Sequence, residues 1–321
     1  MRKIIFLLFL STLIFIVVSP NAFSWGFYGH KKIEEMAVFT LPPQMIGFYK
    51  KNQDFIVKHS VDPDKRRFKN KREGPRHFID IDHYGKNPFE TIPESWKEAV
   101  KKYSEDTLQT YGIVPWYIDK MEYLLTEAFK EGDREKIIHL SSEIGHYIAD
   151  AHVPLHTTEN YNGQFTHQEG IHALWESAIP ELEGDQYNYL VGRAKYLDNP
   201  LKTAWKAVQE SYSEKDSVLN LEMELEKKFS DDQKYTYNSK GKKKYSEAYI
   251  EAYSKLLNGM VQRRLRASII DVGSYWYTAW VNAGQPDLNA LLLKEQNNPA
   301  LQDNENTDKQ ENTIHPKGHE E

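Results

Sequence analysis

Apolar residues recur at three- and four-residue spacing along most of this chain, the period of helices that bury one face. Ile118, Met121, Leu124, Leu125 and Phe129 form one such stripe. Leu256, Met260, Leu265, Ile269, Val272, Tyr275 and Trp276 form another. The pattern predicts a short helix through Val38, a second to Lys51, and then helices over 93–109, 115–131, 133–152, 168–180, 186–197, 201–229 with a break, and about 244–281. Gly259 and Gly273 are expected to weaken the last of these without ending it. His77-Phe78-Ile79-Asp80-Ile81-Asp82-His83 alternates like a strand, but it stands alone in a helix-patterned chain and reads as an extended connector. Pro63 directs Asp62 towards an extended conformation, so 59–64 reads as a turn with exposed carboxylates. A solvated basic run, Lys65 to Arg72, follows it. The expected fold class is all-α, one mainly helical domain with no internal repeat.

The two ends break the pattern. Met1-Arg2-Lys3 precedes an apolar run from Ile4 to Val18, and Ala22 and Ser24 stand at −3 and −1 of a cut before Trp25. That reads as a signal peptide over 1–24, on an apolar run short for a spanning helix. The expected location is therefore outside the cytoplasm, periplasmic or secreted. Residues 296–321 carry almost no large apolar side chain and read as a disordered polar tail, leaving 25–295 as the working domain.

Charge and cysteine narrow the chemistry. Losing Arg2 and Lys3 with the leader moves the formal charge from −6 to −8, which argues against tight, charge-driven nucleic-acid binding. It leaves open an enzyme whose metal ions attract an anionic substrate. There is no cysteine, so any metal must be held by nitrogen and oxygen.

The stretch His146 to Glu176 carries the candidate site. His146 and Asp150 are four apart, as are His172 and Glu176, so each pair presents two ligand-type side chains on one helical face. His156 follows Pro154, where the first helix must end or kink. Imidazole and carboxylate suit zinc. If the leader is cut before Trp25, its free amine and carbonyl form a five-membered chelate, with His30 near enough to add a third ligand.

The set H-x3-D-x5-H followed by H-x3-E, with an N-terminal Trp and an upstream Asp–His pair, resembles the zinc-dependent phospholipase C / S1–P1 nuclease superfamily. The resemblance spans Trp25 to about Gly284. It implies three zinc ions: one held by Asp62, His77, His146 and Asp150, one by His156, His172 and Glu176, and one by Trp25, His30 and a bridging Asp150. It also implies hydrolysis of a phosphodiester by zinc-activated water, with Asp62 orienting or deprotonating that water and Lys65 or Arg66 facing a phosphoryl oxygen. The intervals from Asp62 to His77 and from Trp25 to His30 match the nuclease branch. The short interval from His156 to His172, and Glu176 in place of Asp, match the phospholipase branch. Asn160-Tyr161-Asn162-Gly163-Gln164 does not match the Gly-Gly-Asn loop of the nucleases. The reading leans to a phospholipase C-type activity, with a single-strand nuclease as the alternative and a non-catalytic structural zinc protein as the alternative of another class. The substrate expected is a phospholipid head group or single-stranded nucleic acid, with no stable protein partner implied. Phe78, Phe165 and Tyr161 are candidates to meet acyl chains, and Tyr28, Phe27 and Tyr161 to stack a base.

Overall fold

In the computed structural model, residues 26–239 and 241–296 are described, the side chains of 294–296 excepted. The leader, Trp25 and the polar tail beyond 296 lie outside the described residues.

Two helices form the spine, Val114–Glu131 and Arg134–Ala151. Gly132 ends the first in the left-handed conformation, with φ 64°. Asp133 then caps the second by accepting from Lys136 N at 3.1 Å, so the chain folds back within two residues. The Met260–Asn282 helix packs on both of them and on the first helix, Phe27–Ala37. Here Trp276, fully buried, stacks on Tyr49 with 4.7 Å between centroids and donates to Ser141 O. Each large apolar side chain buried in this way contributes roughly 1.5–3 kcal/mol. The Pro200–Glu226 helix closes the other side, against the 114–131 helix and the Pro154–Thr157 turn.

The mainly helical expectation holds, with several local differences. The 93–109 helix is two, Trp96–Tyr103 and Glu105–Tyr111, parted at Ser104, where φ is 69°. The 186–197 helix is absent: this stretch is an irregular strap across the 260–282 helix. Its amides find acceptors elsewhere, Ala194 N on Thr40 O, Lys195 N on Ser274 Oγ and Leu197 N on Thr278 Oγ1. The long helix over 244–281 is two, Glu247–Leu256 and Met260–Asn282, because Asn258 and Gly259 both take positive φ, 49° and 74°. Gly273 does stay within its helix, where a Cβ would lie 1.9 Å from Thr40 Oγ1. The 201–229 helix runs unbroken from Pro200 to Glu226. A two-stranded antiparallel hairpin, Tyr235–Tyr237 with Lys243–Tyr245, interrupts the helices.

The extended connector is where the fold grips the site. Ile79 N donates to His156 O, Asp80 N to Tyr111 O, Ile113 N to Pro75 O and Val114 N to Phe78 O. The segment carrying His77 is thus clamped between the 111–114 corner and the His156 turn. That corner turns on Gly112, at φ 89°, where a Cβ would lie 2.1 Å from Phe78 O. Gly112→Ala combines a left-handed penalty with overpacking against backbone, and is expected to cost about 2–4 kcal/mol. Denaturant unfolding measures it; a cost below about 0.5 kcal/mol would mean the corner moves freely and does not fix His77.

Candidate metal centre

Five histidines and three carboxylates converge where the first helix, the Asp62–Arg67 helix, the His77 connector, the end of the 134–151 helix and the 171–178 segment meet. His30, Asp64, His77, His146, Asp150, His156, His172 and Glu176 are each at most 4 % exposed. Their ligand atoms form three groups, His30–Asp64–His146, His77–His146–Asp150 and His156–His172–Glu176, within each of which all lie inside 4.8 Å of one another. Asp150 is the hub, with oxygens 2.9 Å from His77 Nδ1, 3.4 Å from His146 Nε2 and 3.5 Å from His30 Nε2.

The rings are oriented as ligands. His146 Nδ1 donates to Ser60 O at 2.8 Å, His156 Nδ1 to His77 O at 2.5 Å and His172 Nδ1 to Tyr161 O at 3.1 Å. With the outer nitrogen carrying the proton, the inner nitrogen keeps its lone pair. The inner atoms then crowd together: His146 Nε2 is 3.1 Å from His77 Nδ1, and His156 Nε2 is 3.1 Å from His172 Nε2. Between His156 and His172, whose Nδ1 atoms both carry the proton, two lone pairs face one another at that range and call for a cation between them. Both oxygens of Asp64 are buried without a hydrogen-bond partner, a cost of several kcal/mol for an ionised carboxylate unless a cation meets it. The donor set therefore fits zinc, nitrogen and oxygen only, with an open position on the three-ligand group.

Burial sets the protonation states. It pushes His77 down to about 4, against the pull of Glu73, and His172 down to about 3 with the Arg67 charge adding to it. Burial also drives His146 well below its ordinary value. All three are neutral at pH 7, as ligation requires. Burial, reinforced by the mutual repulsion of the carboxylates, raises Asp64 to about 8 and Asp150 well above the usual carboxylate range.

Asp62 goes elsewhere. Its oxygens meet His59 Nδ1 at 2.5 Å and Lys65 Nζ at 2.8 Å on a partly exposed surface. Burial works to raise its pKa, but the bonds to His59 and Lys65 outweigh that and hold it low. It is Asp64 that enters the cluster, 3.8 Å from His146 Nε2 and 3.9 Å from His77 Nδ1. The expected turn is in fact a helix, since Pro63 sits in its first turn, where no N–H is needed. Residues two apart on a helix face nearly opposite ways, so 62 and 64 cannot both point inward.

The basic run also divides. Lys65 is spent on Asp62, while Arg66 binds Glu143 at 2.6 Å, Tyr147 at 3.3 Å and Glu73 at 3.5 Å. The Arg67 charge acts on Asp64, Asp150, His77 and His172 alike, with Lys65 adding to it at Asp64 and Arg66 at His77. Glu73, to which no sequence motif points, backs the connector: it is fully buried, 3.7 Å from His77 Nε2, and accepts from Tyr147 and Arg76. Burial would raise it, but these donors and Arg66 bring it down to about 2. Its place four residues before His77 is the one signal that could have found it.

Glu176 lies on a π-turn, Leu174–Ala178. Pro180, without an N–H, cannot continue the α-helical ladder there, and the wider turn leaves Glu176 2.9 Å from His172 Nε2. Gly26 packs against the residue beyond, where a Cβ would lie 2.4 Å from Ser177 Oγ. The chain next to Trp25 thus passes beside this helix. The loop 159–170 is fixed by Asn160, which accepts from Phe165 N and donates to Thr166, and by Asn162, which accepts from Gly170 N. Its rim exposes Tyr161, with its ring 6.0 Å from that of His172, and Phe165, 69 % exposed. Tyr28 is engaged with Asp185 at 3.0 Å and Phe78 is partly buried, while Phe27 is exposed.

The family model described as S1/P1 Nuclease matches residues 25–268. No curated protein matches the chain. Among solved structures it is similar to the alpha toxin from Clostridium absonum, at 14 % identity and a TM-score of 0.47. It is also similar to the Clostridium perfringens alpha-toxin isolated from an avian strain, at 15 % and 0.49. In both pairings the match covers 84 % of this chain and 67 % of the other.

Proposed function

We propose, from the premise that this chain belongs to the S1/P1 nuclease family, that it is a zinc-dependent phosphodiester hydrolase with a trinuclear centre. The observation that carries the reading is the set of buried imidazole nitrogens turned inward by hydrogen bonds on their outer sides. His77, His146, Asp150 and Asp64 would hold one ion, and His156, His172 and Glu176 a second. His30, with a bridging Asp150 and the amine and carbonyl of Trp25, would hold the third. Asp64 here takes the place that the sequence motif gives to Asp62.

Zinc in such a centre supplies Lewis acidity and a water acidic enough to ionise near neutral pH. The chain's own residues do the rest. Asp64 and Asp150, the carboxylates nearest His77 and His146, would be the groups to orient such a water and accept its proton. The Arg67 charge, which acts on both aspartates, would offset the charge that builds on the phosphoryl oxygens. The clamp on the connector and the Arg264 side chain, which donates to His152 O at 2.9 Å just past Asp150, keep these groups in place without rearrangement.

For the substrate, the exposed rings of Tyr161 and Phe165 beside the three-ligand group form a platform suited to stacked bases, and family membership points the same way. Single-stranded nucleic acid is the reading favoured. The phospholipase reading is kept alive by Glu176 and the short interval before His172.

The test uses the chain beginning at Trp25, with zinc counted by elemental analysis and hydrolysis followed on single-stranded DNA, RNA and phosphatidylcholine. About three zinc ions with nucleotide release are expected, and EDTA should abolish turnover. Zinc loading at pH 7 should release protons, because the metal-free Asp64 and Asp150 carboxyls hold theirs and ligation displaces them. Calorimetry in buffers of differing ionisation enthalpy reads this directly. One zinc or fewer without hydrolysis would return the site to a structural role.

A further inference from the structure

The hairpin, which the helical period of the sequence does not announce, stands out by charge. Four of the five residues from Lys240 to Lys244 are lysine, in a chain whose formal charge is −6. Lys242, Lys243 and Lys244 are exposed, and Tyr237 on the facing strand is 69 % exposed. Lys243 Nζ lies 3.6 Å from the centre of the Tyr235 ring.

The base of the hairpin is firmly rooted. Lys234 is buried between Glu222 at 3.0 Å and Glu226 at 2.6 Å, Ser246 N donates to Lys234 O, and Tyr245 stacks on Tyr249. Its inner edge lies against the segment that carries two of the ligands: a Cβ on Gly170 would lie 3.1 Å from the Tyr245 hydroxyl, two residues before His172. A groove of about 630 Å³ runs between them. Tyr235, Lys243 and Lys244 form one wall, and Ala173 and Ser177 part of the other. Ala173 and Ser177 each follow a proposed ligand by one residue, so the groove occupies the face next to the metal face of the same helix. Glu169, Glu181 and Glu247 also line it, which confines an anion to the lysine side.

We propose that this hairpin is a binding arm for a single-stranded polyanion, holding phosphates of the strand beyond the one at the metal centre while a base lies on Tyr237. Lysines supply charge without sequence preference, and the exposed Tyr237 ring supplies a stacking face that accepts every base. Charge patch, aromatic platform and groove coincide on one element beside the site, a combination suited to a strand. The inference rests on the phosphodiesterase reading and deepens it by assigning the hairpin as the place where the strand is held outside the metal centre.

The test is binding of a 12-nucleotide phosphorothioate single strand to the full chain, by fluorescence anisotropy across salt concentrations. Wild type is compared with a K242A/K243A/K244A variant and with a Lys→Arg triple at the same positions. The alanine variant is expected to bind on the order of tenfold more weakly at 50 mM salt, with a log–log salt slope shallower by about 2, near 0.7 for each phosphate that no longer meets a lysine. The arginine variant, keeping charge, should retain the slope and so excludes a folding defect. Equal affinity and slope for wild type and the alanine variant would overturn the proposal. So would a loss confined to binding of phosphatidylserine vesicles, which would assign the arm to a membrane. Turnover of bis(4-nitrophenyl) phosphate by wild type, measured alongside, tests the hydrolase reading separately, since strand binding is read without cleavage.

Discussion

Asp150→Ala should cost at least two zinc ions and on the order of 10³-fold in diester hydrolysis. Its carboxylate meets His77, His146 and His30 within 3.5 Å, so its removal opens both of the proposed zinc sites that it would bridge. Glu176→Ala touches one group only, through His172 at 2.9 Å and His156 at 3.6 Å, and should cost one ion. The magnitude follows from the several kcal/mol that a Lewis-acid metal supplies in the transition state, at about 1.4 kcal/mol for each factor of ten. Folding should survive the change, because Asp150 is itself a strained group in the metal-free chain, held protonated by burial and by Asp64 and Glu176. Elemental analysis beside circular dichroism separates metal loss from unfolding. Equal single-ion losses in both variants would contradict the bridging position.

A second contrast sets two aspartates against each other. Asp64→Ala is expected to lower zinc content by one ion and activity by on the order of 10²–10³-fold, as for loss of a single preorganised charge. Asp62→Ala should leave zinc content intact and cost less than about 1 kcal/mol of stability, the range of a partly exposed ion pair. The argument is geometric: the Asp64 oxygens are buried among imidazoles, while those of Asp62 are taken by His59 and Lys65. The opposite ranking, with Asp62 the damaging site, would mean the Asp62–Arg67 helix turns by about half a revolution in the loaded protein. Zinc counts on the two variants decide it.

Much of this centre is legible in the sequence without any fold. His146 with Asp150 and His172 with Glu176 follow from helical period alone, and the structure brings both pairs inward together with His30, His77 and His156. The failure at Asp62 has a simple origin. Asp-Pro-Asp is symmetric about Pro63, and which carboxylate faces inward depends on whether the proline opens a helix or ends a turn, a decision made by packing against the 134–151 helix. Arg67 is hidden in the same way, in a basic run whose neighbouring cations are taken by Asp62 and by Glu143 and Glu73. Glu73 leaves only its four-residue spacing from His77 as a trace, because it acts on that ring from behind. The 187–198 strap and the hairpin escape for another reason: their backbone groups are satisfied by Thr40, Ser274, Thr278 or by each other, and such partnerships leave no periodic trace.

The outer hydrogen bonds of the imidazoles carry one more consequence, for how the site can change over generations. Ser60, His77 and Tyr161 orient His146, His156 and His172 through main-chain oxygens, which substitution of the side chain does not delete. Those three ligands are insulated from drift in their neighbours. His77 alone among the four faces a side chain, Glu73, and is exposed to selection through it. For these four imidazoles, heritable tuning of the grip on metal without loss of a ligand runs through residue 73.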